Sequence, residues 1–319
     1  MNKHLLVTGG AGFIGSNFIS YLLSNTNYLI TNVDSLTYAG NEQNMKPFET
    51  SNRYRFLKCD IGNEQELASI FDQEYEAIIN FAAESHVDRS ITNADPFIHT
   101  NIIGTFNLLQ AVLTGKARKM IQISTDEVYG SLGPKDPPFT EGTALAPNNP
   151  YSASKASADL LVRSFHRTHQ LPLIITRCSN NYGPMQHKEK FIPTIITNAL
   201  NNKDIPLYGD GLNIRDWIYV DDHCRAIHTV LEKGVQGEVY NIGGAEEKTN
   251  LEVIQMILKQ LGKNKHLIKY VEDRKGHDRR YSMDSSKISR DLGWEPLVSF
   301  HDGIQKTIEW YKRMQYERR

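Results

Sequence analysis

Six short stretches carry apolar residues in unbroken or nearly unbroken runs. They are Leu5-Leu6-Val7, Tyr28 to Val33, Tyr54 to Cys59, Ala77 to Ala83, Lys119 to Ser124 and Leu173 to Arg177. Between them apolar positions recur at three- and four-residue spacing. Phe18, Ile19, Leu22 and Leu23 follow the first run, Glu64 to Phe71 the third and Thr100 to Leu113 the fourth. Ala158, Leu161, Val162 and Phe165, in a segment opening at Tyr151, follow the fifth. The short runs predict strands buried on both faces and the periodic segments predict helices. Their alternation predicts an α/β fold on a doubly wound parallel sheet.

After Arg177 the alternation stops. Asn180-Asn181-Tyr182-Gly183-Pro184 has the composition of a turn. Helices are then expected at Phe191 to Asn201, Asp222 to Glu232 and Leu251 to Leu261, and strands at Arg215 to Val220 and Val239 to Gly244. This predicts a first domain over 1–177, to which a segment of about 214–243 returns, and a smaller mixed α/β domain over 178–319. No internal repeat or low-complexity segment interrupts either.

The turn after the first strand narrows the class. Thr8-Gly9-Gly10-Ala11-Gly12-Phe13-Ile14-Gly15 lies between a strand and a helix. There Gly9, Gly12 and Gly15 permit a sharp turn, close approach to a pyrophosphate and tight helix–strand packing, with the helix N-terminus facing the anion. Asp34, about 20 residues on at the end of the second strand, suits a ribose 2′-hydroxyl and repels a 2′-phosphate. The sheet is therefore read as Rossmann-type and the cofactor as NAD.

Bulk properties remove other classes. Net charge is −1 across 319 residues, which gives no electrostatic footprint for nucleic acid or an anionic membrane. Three widely spaced cysteines argue for a reducing compartment. No apolar run has transmembrane length, and the N-terminus leads into a strand rather than a signal peptide, so a cytoplasmic protein is expected. Asp221-Asp222-His223-Cys224 are too close together to converge on one ion, and no metal is expected.

The chemistry concentrates between Ile121 and Lys155. Ser124-Thr125-Asp126-Glu127 ends the fifth strand with hydroxyls and two adjacent carboxyls; Tyr151 and Lys155 lie one helical turn apart. A free tyrosine titrates near pH ~10. An ammonium one turn away is expected to favour the phenolate, making a general base. Between the two halves, Gly133 to Pro138 and Pro147 to Pro150 are expected to be a rim or lid, or else plain surface loop. Glu84 to Arg89 are expected in a loop beyond the fourth strand. Arg215 and the polar loop Asp273 to Tyr281 suggest a diphosphate clamp, because arginine forks match phosphate oxygens.

Together these features resemble the extended short-chain dehydrogenase/reductase superfamily over essentially the whole chain. The glycine turn, Asn80-Phe81-Ala82-Ala83 and Tyr151-x-x-x-Lys155 carry the likeness. Within it, Ala82 to Ser90, Ser124 to Gly130, Arg215-Asp216-Trp217 and Gly276 to Tyr281 are similar to the dTDP-glucose 4,6-dehydratases. The Thr-Asp-Glu triplet separates these from sugar-nucleotide epimerases. The resemblance implies Thr125, Asp126, Glu127, Tyr151 and Lys155 as catalytic residues. It implies cofactor contacts from Phe13, Ile14, Asp60, Ile61, Ala82, Ala83, Thr100, Tyr151, Lys155 and Asn181 besides the glycines and Asp34. Substrate contacts follow from Ser85, Thr125, Asn180, Lys190, Arg215, Asn250, His277 and Tyr281. It further implies tightly held NAD, a nucleotide-sugar substrate, a homodimer and a role in making deoxysugars such as rhamnose. Lys275 stands where the family usually has proline, which puts the rigidity of that loop in question. The alternatives are a UDP-sugar epimerase, decarboxylase or dehydratase of the same superfamily, and a non-catalytic dinucleotide-binding sensor.

Overall fold

The computed structural model describes residues 3–273 and 276–316. Arg274 and Lys275, and with them the departure at Lys275, lie outside the described residues. The first part of the chain runs β1 (His4–Thr8), α1 (Phe13–Asn25), β2 (Leu29–Asp34), β3 (Tyr54–Lys58), α2 (Glu64–Ile70), β4 (Ala77–Asn80), α3 (Val87–Thr92) and α4 (Asp95–Phe97). It continues with α5 (Thr105–Leu113), β5 (Met120–Thr125), α6 (Pro150–His169) and β6 (Leu173–Cys178). The rest comprises β7 (Asn180–Tyr182), α7 (Phe191–Leu200), β8 (Ile205–Tyr208), β9 (Ile214–Tyr219), α8 (Val220–Lys233), β10 (Val239–Ile242) and β11 (Glu247–Thr249). Last come α9 (Asn250–Leu261), β12 (Ile268–Val271), α10 (Ser286–Leu292) and α11 (Phe300–Tyr316).

Seven strands form one parallel sheet in the order β10-β6-β5-β4-β1-β2-β3. Period-two alternation divides its side chains between two cores. Leu5, Val7, Ile79, Ile121 and Ile174 pack with Phe18, Ile19 and Leu22 of α1 and Ile227 and Val230 of α8 on one face. Leu6, Ile78, Met120, Leu173 and Ile175 pack with Leu67, Leu108, Leu109, Val112 and Val162 on the other. The chain reverses its direction of travel between β1 and β4, the switch point where such sheets bind ligands at the strands' carboxyl ends. Here Thr8 Oγ1 donates to Asn80 Oδ1 at 2.6 Å, and Asn80 Nδ2 donates to Gln122 Oε1 at 2.8 Å. Buried polar side chains thus cross-link the sheet directly beneath the cleft.

A separate core joins α7, α9 and α11 around Tyr182, Trp217 and Tyr219. Two small sheets, β11-β9-β7 and β12-β8, belong to this part. The 180–184 stretch is therefore not simply a turn, because β7 pairs with Trp217–Tyr219 of β9. Of the segment 214–243, β10 lies in the large sheet and β9 in a small one. Two local expectations also give way. Glu84 to Arg89 is not all loop, since α3 opens at Val87. The helix over 100–113 begins as a π-helical stretch, Ile98–Gly104, and becomes α-helical at Thr105.

Candidate active site

The β1–α1 turn is built so that only glycine fits at its tight points. Gly9 has φ +72°, and a Cβ there would lie 2.6 Å from Ala82 N; one on Gly15 would lie 2.4 Å from Gly9 O. Asp34 ends β2 against this turn, accepting from Ala11 N at 2.9 Å and Leu36 N at 2.8 Å, while burial raises its carboxyl pKa. Every residue read as cofactor-binding lines one cleft of about 290 Å³, and so do Thr125, Asp126, Glu127, Tyr151 and Lys155.

Those five come from two elements. Thr125 closes β5 and its hydroxyl caps the tight turn Asp126–Tyr129, accepting from Glu127 N at 3.3 Å and donating to Asp126 Oδ1 at 3.1 Å. Asp126 is buried, and its Oδ2 has no hydrogen-bond partner among the described residues. Burial first, and the Glu127 charge second, push the Asp126 pKa well above the usual carboxylate range. Glu127 is half-buried and its pKa is also raised by burial, but Lys190 and Arg215 oppose the shift. Both carboxyls are thus biased toward the acid form but unequally, Asp126 the more strongly because Lys190 and Arg215 draw Glu127 back toward the anion.

Tyr151 and Lys155 are presented by the first two turns of α6. Asn149 and Ser152 cap this helix reciprocally, and Pro150 occupies its first turn. Lys155 Nζ donates to Ile123 O at 2.6 Å, which ties the helix to β5. The expected lowering of the Tyr151 pKa is absent. Burial, then Glu127, raises it well above 10, with Thr125 opposing by hydrogen bonding. One helical turn of proximity is outweighed by desolvation and by carboxyls from another element.

A second cavity of about 180 Å³ adjoins the first, and Ser85, Glu127, Asn180, Asn181 and Lys190 line both. Arg215, Asn250, His277 and Tyr281 line the second. Arg215 lies 4.3 Å from the Tyr281 ring centroid, and its Nη2 donates to Asp278 O at 2.9 Å. The Tyr281 hydroxyl donates to the Asp278 carboxylate, and His277 Nδ1 pairs with Asp273 Oδ1 at 2.6 Å. Lys190 Nζ donates to Ser85 O at 2.8 Å across the seam. The structure therefore brings the residues read as catalytic, cofactor-binding and substrate-binding into one continuous cleft, with Glu127 where its two parts meet and Asp126 beside it in the first.

The family profile described as GDP-mannose 4,6 dehydratase matches residues 6–307. The chain belongs to the GDP-mannose 4,6 dehydratase family. It is 50% identical to dTDP-glucose 4,6-dehydratase of Neisseria gonorrhoeae, over 97% of this chain and 95% of that one. A Bacillus anthracis dTDP-glucose 4,6-dehydratase solved in complex with NAD superposes with a TM-score of 0.92 at 51% identity, covering 98% of both chains. DesIV of Streptomyces venezuelae, a dTDP-glucose 4,6-dehydratase solved with NAD and TYD bound, gives 0.95 at 48% identity, again covering 98% of both.

In this dehydratase-family chain some site residues carry no local sequence signal. His223 is fully buried, its pKa is lowered to about 3 by burial, and its neutral ring donates from Nδ1 to Asn181 Oδ1 at 2.8 Å. It thereby fixes the amide of a residue shared by both cavities. Its neighbour Asp222 instead accepts from Leu297 N and Val298 N at 2.9 and 2.8 Å, anchoring the approach to α11. Tyr38, Gln186 and His187 line the dinucleotide part of the cleft, and Tyr208 and Trp217 the other.

Proposed function

We propose that this dehydratase-family chain converts dTDP-glucose to dTDP-4-keto-6-deoxyglucose, with NAD resident throughout. The carrying observation is the unequal carboxyl pair at the junction of the two cavities. Eliminating water across C5 and C6 needs one group to accept a proton and another to give one, and of the two Asp126 is held the more strongly as the acid while Lys190 and Arg215 draw Glu127 back toward the anion. The glycine turn, the carboxylate at Asp34 and the open α1 N-terminus fit NAD. Gly9, Gly12, Gly15 and Asp34 would hold NAD, which when bound would supply reversible two-electron, hydride-accepting chemistry.

The remaining work belongs to the chain's own residues. Tyr151 takes the proton of the sugar 4-hydroxyl, with Thr125 as its hydrogen-bond partner and Lys155 the nearby cation on the same helix face. The 4-ketone acidifies C5–H, whose proton passes to Glu127. Asp126 gives its proton to the departing 6-hydroxyl, so one water leaves; C5 regains a proton as C6 is reduced, and no net redox change remains. Arg215 and Lys190 supply positive charge for the diphosphate, within a substrate-binding surface that also comprises Ser85, Asn180, Asn250, His277 and Tyr281. The region 1–177 with β10 serves the cofactor, and 178–319 serves the nucleotide sugar.

Thymidine rather than uridine specificity is supported by the dTDP-glucose dehydratases to which the chain is similar. Exposed Ile98, Ile103 and Phe106 with Leu160 of α6 form an apolar face suited to a second copy, supporting a homodimer. Three unpaired cysteines support a cytoplasmic site of action, and the product chemistry supports a role in making deoxysugars such as rhamnose. Among the described residues no helix is long and apolar enough to cross a membrane.

The test is to incubate protein, without added NAD, with dTDP-glucose or UDP-glucose and follow product mass. Loss of one water from the dTDP sugar is expected. An epimerised sugar, or no turnover of either substrate, would refute the assignment.

A further inference from the structure

The segment Pro184–Lys190 runs from one wall of the dinucleotide cleft to the other. At its start Pro184 O accepts from Asn17 Nδ2 at 3.0 Å, and Met185 Sδ accepts from Ser16 Oγ at 3.3 Å. Both donors lie in the first turns of α1, beside the glycine turn. At its end Lys190 holds Ser85 O, beyond β4. Between these anchors Gln186 and His187 line the cleft. Gln186 is itself held, its side chain donating from Nε2 to Asn181 O at 2.9 Å and its backbone carbonyl accepting from the Tyr311 hydroxyl at 2.6 Å.

One cation joins this segment to two others. Arg89, on α3, places its guanidinium 3.8 Å from the centroid of the Tyr38 ring. The same guanidinium donates through Nη2 to both oxygens of Glu189, at 3.3 and 3.2 Å. Tyr38 stands on the loop after β2, four residues past Asp34, and meets His187 edge to face with centroids 6.0 Å apart. Tyr38 and His187 both line the dinucleotide cleft. The acid–base chemistry uses none of Arg89, Tyr38 and Glu189. The Arg89 and Glu189 side chains are 46% and 39% exposed, where an ion pair contributes little to folding.

We propose that Arg89, stacked on Tyr38 and bonded to Glu189, is a latch that joins the β2 loop and the 184–190 segment over the dinucleotide and sets its rate of escape. This inference rests on the reading of NAD as a resident cofactor. A cofactor that ends each cycle as it began gains nothing from exchange, and leaving the cleft requires these segments to part. Guanidinium chemistry suits the task, since its face lies on a ring while its edge bonds a carboxylate. Cutting the latch removes one cation–π contact and one exposed ion pair, together worth roughly 3- to 30-fold in a dissociation rate.

Parent, Arg89→Ala and Glu189→Gln are purified without added NAD, and acid-released nucleotide is quantified. Loss of NAD from each NAD-loaded protein is then followed over time by dialysis. The parent is expected to retain NAD in near-stoichiometric amount. Arg89→Ala is expected to lose it roughly 3- to 30-fold faster and Glu189→Gln, which spares the Tyr38 stack, roughly 1.5- to 5-fold faster, and their turnover of dTDP-glucose to rise when NAD is added, unlike the parent's. Glu189→Gln cuts the ion-pair half of the latch from another segment, so the comparison survives if Arg89→Ala does not fold. Release at the parental rate from either folded variant overturns the latch. A parent that neither carries nor binds NAD overturns the resident-cofactor reading instead.

Discussion

Replacing Asp126 with asparagine separates the acid step from the rest. The side chain keeps its shape, and an amide can still meet the Thr125 hydroxyl that now bonds Asp126 Oδ1 at 3.1 Å. What is lost is the proton on a buried carboxyl whose second oxygen has no partner among the described residues. A positioned general acid contributes about 10²- to 10⁴-fold, so elimination should slow by that factor, or about 3–5 kcal/mol of barrier. Oxidation at C4, which relies on Tyr151, should persist. Stability should move the other way. Burial holds the folded Asp126 pKa above its unfolded value, so the folded parent binds this proton more tightly and loses stability as pH rises through that interval. Asparagine removes the penalty, and the variant should unfold at a temperature no lower than the parent at neutral pH. Its advantage should vanish below the unfolded carboxyl range. The assay is a single turnover with dTDP-glucose, following reduced-nicotinamide absorbance and product mass together: absorbance should rise and persist while dehydrated sugar forms slowly. Dehydration at the parental rate would show that another group protonates the leaving hydroxyl.

Tyr151→Phe should stall one step earlier. No reduced cofactor should appear in the same experiment, and prompt absorbance would remove Tyr151 from its role as base. Asp159→Asn tests the support beneath Lys155: Arg177 Nε donates to Asp159 Oδ2 at 2.8 Å, and both side chains are buried. Stranding the guanidinium should cost about 3–5 kcal/mol, read as a lower denaturant midpoint; an unchanged midpoint would mean that water or Tyr129 compensates.

The large sheet is legible in the sequence because its information is local. Strands such as Ala77–Asn80 and Met120–Thr125 are buried along their whole length and read as apolar runs, and steric demand at Gly9 and Gly15 leaves a visible glycine signature. The start of α6 is equally local, with cap, proline and the Tyr151–Lys155 pair inside seven residues. Legibility fails where partners are distant. β7 has the composition of a turn and is a strand because β9, more than thirty residues on, pairs with it. His223 looks like part of a poor metal cluster until the fold sets it against Asn181, 42 residues away. The same limit reverses the expected Tyr151 pKa shift. Spacing along α6 identifies the cation one turn away, but neither the depth of burial nor the carboxyls arriving from β5. Residue types and helical spacing thus identify which groups can move protons. The sign of each group's bias is set by what the sheet and its neighbouring turn pack around it, so the acid and base assignments for Asp126 and Glu127 rest on their surroundings rather than on the Thr-Asp-Glu triplet itself.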